Sequence, residues 1–395
     1  MTGQEYDTII IGGGASGMML AAALELKGRR GIILEKTGSL GTKLLMSGGG
    51  RCNITHGGSI KDFIGAYGDA GPRLRKCLYR HNNIELASWL EEHGIALADE
   101  KGTDITSDSL EDAGRVFPAS MRAGDILALL QSEARNNGWE IRTESEVHDL
   151  RRDEDDTHWI VSAAPAERYR ADNVVFATGG ITFPETGSDG SALDLLREIG
   201  VGITGRRSAL APVYVRDYPY EGLAGISLSG VTVAANGSDE TETHRGKAVR
   251  MTGDLLFTHR GFSGPVVLNI SRYTEPGSLI RIRYNREFGD LPKRMQKVLE
   301  TRAKGPSGDV RTTVLASLLD SDDFTVTAVD DNGMVTAGGI SLAEIDPSTM
   351  QLRAYPGIYA VGEAIDADGI TGGYNLQLCW STARTAAESI EGSIH

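Results

Sequence analysis

YDTIIIGGGASGMMLAAALELK, residues 6–27, decides the fold. A strand-like run from Tyr6 to Ile11 breaks at Gly12-Gly13-Gly14-Ala15-Ser16-Gly17 and enters an alanine-rich apolar stretch that reaches Lys27. This pattern is a dinucleotide cradle. Gly12 permits the tight turn, Gly14 lets the backbone approach a pyrophosphate, and Gly17 lets the helix lie close to the strand. Ala15 and Ser16 open that helix, whose unpaired N–H groups and positive dipole end face the phosphates, so the loop needs no lysine. The partner strand, Gly31 to Leu34, ends in Glu35 and Lys36. An acid about twenty residues beyond the cradle suits ribose hydroxyls, and Glu35 fills that place.

The uncharged run Thr8 to Leu24 invites a second reading, as a membrane span or the core of a signal peptide. Glu5 and Asp7 precede it without a lysine or arginine, no small-residue cleavage site follows, and glycines interrupt it at the turn. We therefore expect a soluble chain. No other stretch is long and apolar enough to span a bilayer, and no lipidation motif stands at Gly392-Ser393-Ile394-His395.

With 395 residues the chain has room for two or three domains. Its 50 glycines, in no collagen-like period, suit a backbone that wraps a ligand in several places. The net charge of −14 argues against general affinity for nucleic acid or anionic membranes, which draws on a lysine and arginine excess. Cys52, Cys77 and Cys379 are too scattered for a disulfide framework or a zinc site, so a cytoplasmic location and no metal are expected.

Periodicity places helices at Asn83 to His93 and Asp125 to Asn137. It places extended segments at Trp139 to Leu150, Trp159 to Ala163 and Arg168 to Tyr169, and a buried strand at Asn173 to Ala177 that ends in Thr178-Gly179-Gly180. From Ala209 to Tyr284 short β-rich runs alternate with Gly, Asn and Pro turns, the mark of a separate antiparallel domain. Leu291 to Ala303 and Val310 to Leu319 read as helices around the loop Lys304 to Gly308. Phe324 to Val329, Met334 to Thr336 and Gly357 to Val361 return to strand, and a last helix runs from Asn375 to Ile390.

Two further glycine clusters point to the same ligand. KLLMSGGGRCN, residues 43–53, sets Gly49 and Gly50 beside Lys43, Arg51 and Asn53, a loop suited to lie flat against an extended cofactor. Val361 to Asp366 follows a strand, and GITGGYNL, residues 369–376, leads into the last helix. If the N-terminus of that helix meets the pyrimidine edge of a flavin, it stabilises the negative charge that develops there on reduction.

These strings, with FTHRGFSGP at 257–265 and TAGG at 336–339, resemble the BaiN-like (YhiN-like) family of FAD-binding oxidoreductases, and more distantly the fumarate reductase and glutathione reductase group. The resemblance spans most of the chain in order. It implies an α/β protein: a discontinuous, glutathione-reductase-type Rossmann-like FAD domain (1–205 and 324–395), an inserted antiparallel β-barrel-like domain (206–288) and a small helical segment (289–323). By the same resemblance Glu35 holds the adenosine ribose and Val147 the adenine through its backbone, while Thr178 and Gly179 approach the cofactor at the strand end. Gly362, Glu363 and Asp366 follow the pyrophosphate and ribityl chain, and Gly373, Asn375 and Leu376 lie near the isoalloxazine. Lys36, Lys43 and Cys52 complete the expected cofactor contacts. Relatives usually carry a longer helical segment before residue 336, so either a more open substrate site or a different substrate is expected here.

For chemistry, His259 is either a proton donor above the flavin or a histidine bonded within a domain interface. Arg115 and Arg51 are either clamps for an anionic substrate or the phosphate of a nicotinamide donor, or surface ion pairs. Tyr374 stacks or donates near the flavin, or is structural. Cys52 has no second cysteine nearby, which excludes a dithiol mechanism, and it reads as a small packed residue. No second G-x-G-x-x-G follows a strand, so NADH or NADPH would have to meet the flavin directly. The leading expectation is an FAD-dependent, NAD(P)H-linked reductase of an activated double bond in a small molecule. The alternatives are an amine-type oxidase that uses oxygen and a flavoprotein that binds RNA or a protein; the acidic charge disfavours RNA.

Overall fold

The computed structural model describes residues 4–155, 157–235, 249–305 and 308–392. The chain divides into two compact units, Met1–Arg207 with Val335–His395, and Ser208–Met334.

A seven-stranded sheet organises the first unit. Gln4–Ile11 runs parallel to Gly31–Leu34 on one side and to Glu167–Phe176 on the other, with Ile9 opposite both Ile32 and Val174. Glu140–Arg142 extends the parallel part, and Trp159–Ala163 and Val147–Arg152 add antiparallel strands at the far side. Ile358–Ala360 pairs in parallel with Val174 to Phe176, so the end of the chain joins the sheet that its first strand began. Ile9, Ile10, Ile32, Ile33, Val174 and Val175 are fully buried, as strands covered on both faces must be. The helix Ala15–Ala23 buries seven consecutive residues, Ser16 to Ala22, and packs against the helices Ala123–Asn136 and Tyr374–Gly392. A smaller antiparallel sheet joins Thr55–His56, Arg115–Pro118, Leu97–Asp99 and Asp104–Ile105.

One expected strand divides in two. Residues 139–150 read as one extended segment, yet Glu140–Arg142 and Val147–Arg152 lie at opposite ends of the sheet. Between them Glu144 adopts φ +55, and the N–H groups of Glu144 and Ser145 donate to the carbonyls of Thr37 and Glu35 at 3.0 and 2.8 Å. These bonds to the loop after Gly31–Leu34 turn the chain out of line, a long-range effect that the local pattern does not encode.

In the second unit six strands close a barrel in the order Val213–Val215, Gly261–Ser263, Val249–Phe257, Ser227–Ala235, Leu279–Arg283 and Asp322–Val329. The boundary at 324 expected for the return to the FAD domain is therefore displaced: Phe324 and Val326 face the barrel core, and their strand pairs with both Leu279–Arg283 and Val213–Val215. A barrel removes its edges only when its last strand is in place, and that demand claims this strand. The helices Lys293–Ala303 and Thr312–Asp320 belong to the same unit rather than to a separate insert, although residues 306 and 307 of the expected loop lie outside the described residues. Inside this unit the Asp322 carboxylate, 1% exposed, accepts two hydrogen bonds of 2.8 Å from Arg302, one of 2.8 Å from the Tyr284 hydroxyl and one from the Tyr220 hydroxyl. Burial holds both phenols protonated, well above the ordinary tyrosine range.

Candidate cofactor and active site

The cradle follows from three local facts. Gly12 takes φ +103, and a Cβ there would stand 2.5 Å from the Ala177 carbonyl oxygen, so only glycine lets the first strand turn beside the end of Glu167–Phe176. A Cβ on Gly17 would collide with the Gly12 carbonyl, which fixes how closely the helix approaches the turn. Gly14, at the N-cap, offers no side-chain cap to the helix, whose first N–H groups are left for an external acceptor. By contrast, the helix Asn83–Glu92 is capped by the Asn82 side chain.

Glu35 is buried and held from two sides. Its Oε2 accepts from the Gly13 N–H at 2.8 Å, and its Oε1 accepts from the N–H and hydroxyl of Thr37, each at 2.8 Å. Gly13, not singled out in the sequence, thus ties the acid to the glycine turn. Lys36 is engaged otherwise: its ammonium pairs with Glu146 at 2.7 Å and Asp189 at 2.6 Å. Val147 is buried at the start of its strand.

The residues fit an extended dinucleotide on three observations. A Cβ on Gly14 would meet nothing within 4 Å, so the space over the turn is open. Thr178 Oγ1 and Ser188 Oγ are buried without a hydrogen-bond partner among the described residues. Such groups are costly to bury unless something else satisfies them. A Cβ on Gly179 would lie 2.6 Å from the Ser188 hydroxyl, and one on Gly187 would lie 3.6 Å from Glu35 Oε1, so both orphaned hydroxyls flank the acid and the turn.

The two later clusters meet. Lys43 donates to Glu363 at 2.7 Å and to the Thr182 hydroxyl at 2.8 Å, while Glu363 accepts from the Thr336 N–H at 2.7 Å. The Gly362 N–H donates to the Thr382 hydroxyl at 2.9 Å, and Asp366 is half-buried just beyond. No Cβ contact within 4 Å awaits Gly49, and Gly50 is nearly as free. In the orientation its neighbours require, the Asn53 amide donates to the Thr55 carbonyl at 3.0 Å and accepts from the Gly373 N–H at 3.1 Å, stitching the glycine loop to the start of the last helix. The Asn375 amide is taken up by Gly369 and Ile370, with bonds of 2.8 and 3.0 Å to Gly369, so its side chain holds the turn ahead of the helix. Leu376 packs against the core of this unit.

Cys52 is fully buried, and burial pushes its thiol up to about 12, which rules out a thiolate nucleophile near neutral pH. Arg115 is exposed and donates to Glu100, whose other oxygen lies 3.7 Å from Arg51; the Arg51 guanidinium rests 4.9 Å from the Phe117 ring centroid. His259 sits exposed at the turn between Val249–Phe257 and Gly261–Ser263 in the barrel unit. Tyr374 is buried, and burial raises its phenol above the ordinary value, with the Asp62 charge adding to the effect. Its ring stacks on His56 at 5.1 Å between centroids and 16° between planes. Sequence reasoning passed over His56, three residues after Asn53, because a single histidine in a short strand has no periodic or motif signal.

A family model described as HI0933-like protein Rossmann domain matches residues 6–389. The chain is 29% identical over 422 residues to the ribosomal RNA dihydrouridine synthase of Escherichia coli (strain K12), covering 98% of both. It is likewise 29% identical over 426 residues to the 3-dehydro-bile acid delta(4,6)-reductase of Clostridium scindens, covering 96% of this chain and 98% of that protein. Among solved structures, 3-ketosteroid delta1-dehydrogenase from Sterolibacterium denitrificans aligns over 99% of this chain and 100% of its own at 12% identity with a TM-score of 0.54, a likeness of fold.

Proposed function

The chain belongs to the HI0933-like family of Rossmann-domain, FAD-dependent oxidoreductases, and from that premise we propose that it reduces a carbon–carbon double bond conjugated to a carbonyl group, with NADH or NADPH as electron donor. The observation that carries this reading is the shared chemistry of two full-length relatives. Making dihydrouridine and reducing a 3-oxo-4,6-diene both add two hydrogens to such a bond.

FAD, when bound, supplies the hydride. The chain's own groups do the rest. The uncapped N-terminus of Ala15–Ala23 would hold the pyrophosphate, Glu35 would accept from the adenosine ribose, and the Thr178 and Ser188 hydroxyls would gain the partners they lack. The Lys43–Glu363 pair ties the 43–53 loop to the segment that follows Ile358–Ala360. The start of the last helix, held by Asn53 and preorganised by the Asn375 turn, offers N–H groups to the charge that develops on reduction.

A second reading concerns the substrate. Relatives that act on ribosomal RNA favour a uracil base in RNA over a free small molecule, while the −14 net charge weighs against a long phosphate contact. The purified yellow protein, titrated anaerobically with NADH and then NADPH, should bleach near the flavin band. It should regain colour on addition of either an unmodified ribosomal RNA transcript or 4-androstene-3,17-dione. Dihydrouridine in the digested RNA, or the saturated ketone, identifies the substrate class. A reduced protein that ignores both and is reoxidised rapidly by oxygen alone refutes the reductase and favours an oxidase.

A further inference from the structure

We propose that His56 delivers the proton in this reduction, through Nε2; the inference rests on the double-bond reading above. His56 lies on Thr55–His56, directly after the glycine loop and beside the first turn of the last helix. Three contacts hold its ring. Nδ1 lies 2.9 Å from the Gly57 carbonyl, so Nδ1 carries a hydrogen and donates it, and Nε2 is the nitrogen free to exchange a proton. Tyr374 stacks on one face. Gly372, at φ +118, passes so near that a Cβ there would be 3.2 Å from His56 Cδ2 and 3.9 Å from Nε2, so a larger residue would crowd the edge that carries Nε2. No hydrogen bond occupies Nε2 among the described residues, and the ring is half-buried.

The charged and titratable neighbours come from each packed element. Arg115 stands directly opposite His56 in the strand pair, with Arg51 and Glu100 next to it. Asp62 lies near enough to raise the Tyr374 phenol, and the Asn83 amide donates to the His56 carbonyl at 3.0 Å. Burial raises the Tyr374 phenol above its ordinary value, so it holds its proton, and the imidazole with its open Nε2 is the group placed to exchange one.

The step balances. The π bond of the conjugated alkene breaks, the carbon β to the carbonyl takes the hydride supplied by reduced FAD, and the α carbon takes the proton from Nε2. The alkene gains two electrons, FAD returns to its oxidised form, and neutral His56 is reprotonated from water. The nicotinamide nucleotide is the reductant that restores the flavin.

The test uses FAD-loaded wild type, His56→Asn and His56→Gln, each checked for flavin content and melting temperature. The variants should be reduced by NADPH at the wild-type rate, and ferricyanide, which takes electrons without forming a C–H bond, should reoxidise them normally. Reoxidation by 4-androstene-3,17-dione or the RNA transcript should slow by about 10²–10⁴-fold, as removal of a positioned acid does. In deuterated water the wild type should place deuterium on one face of the α carbon, and the variants should lose that selectivity. A variant within about threefold of wild type on the alkene, with the same pH profile, overturns the assignment, because a general acid contributes far more. Equal slowing with ferricyanide, or loss of FAD in both variants, also overturns it in favour of a structural role. A wild type inert to both alkenes but normal with ferricyanide refutes the double-bond reading itself, and the proton donor falls with it.

Discussion

Replacing Glu35 by glutamine probes the join between the glycine turn and the acid proposed to hold the adenosine end of the cofactor. The carboxylate is 7% exposed and accepts three hydrogen bonds of 2.8 Å, from the Gly13 N–H and from the N–H and hydroxyl of Thr37. Glutamine keeps one acceptor oxygen. If that oxygen serves Thr37, its amide nitrogen faces the Gly13 N–H donor to donor, and the turn must shift or lose the bond. A hydrogen bond to a charged group contributes about 1.5–3 kcal/mol, so removing it at the turn is expected to weaken FAD by about 10–150-fold in Kd. Apoprotein titrated with FAD by flavin fluorescence reads this directly. FMN serves as the control, since it lacks the adenosine ribose and should lose less affinity. The reasoning is refuted if FAD and FMN weaken equally, or if the Kd for FAD moves by less than about twofold, a change well under 1 kcal/mol.

Three further outcomes are expected. Asp322→Ala leaves Arg302 and two buried phenols without their acceptor, and removal of one partner from a buried pair costs about 3–5 kcal/mol, toward the lower end here because Arg302 is partly exposed; calorimetry should show the loss as a lower melting temperature. Burial first, and the Arg384 and Arg80 charges against the opposing effect of Glu388, depress His81 from 6.5 to about 4 in the folded chain. The unfolded state therefore binds the proton first, so this residue costs no stability above pH 6.5, and its penalty grows as pH falls towards about 4. His81→Gln should flatten the decline of melting temperature across that window, and an unchanged slope would count against the burial argument. Cys52 and Cys77, both buried with thiols pushed up to about 12, should resist Ellman's reagent at pH 8 in the native protein and react once it is denatured; fast native labelling of either contradicts the packing described.

Most of the cofactor half was legible because its signals are local. The turn at Gly12, the helix after it and the acid at Glu35 lie within one short stretch, and each residue type is demanded by backbone geometry or charge at that spot. The clusters at 43–53 and 362–376 were visible as motifs, but their mutual contacts, Lys43 with Glu363 and Asn53 with Gly373, join positions some 320 residues apart and leave no periodic trace. The candidate acids show the limit most clearly. Tyr374 was singled out by its place in a motif, whereas His56, which stacks on it, carries no pattern, and His259 and Arg115 sit exposed, one at a barrel turn and the other paired with Glu100.

By itself the sequence determined that a strand–turn–helix cradle opens the chain, that an acid waits at the end of the next strand, and that glycine-rich segments lie towards both ends. Such features are set by short-range sterics and by the chemistry of single residues. The tertiary structure alone decided that the run over 139–150 becomes two strands, that Asp322–Val329 closes the barrel rather than returning to the first domain, and that a half-buried imidazole faces the last helix. Each of these depends on hydrogen bonds and packing between segments far apart in the chain, where closure of a sheet or satisfaction of a buried group outweighs the local pattern.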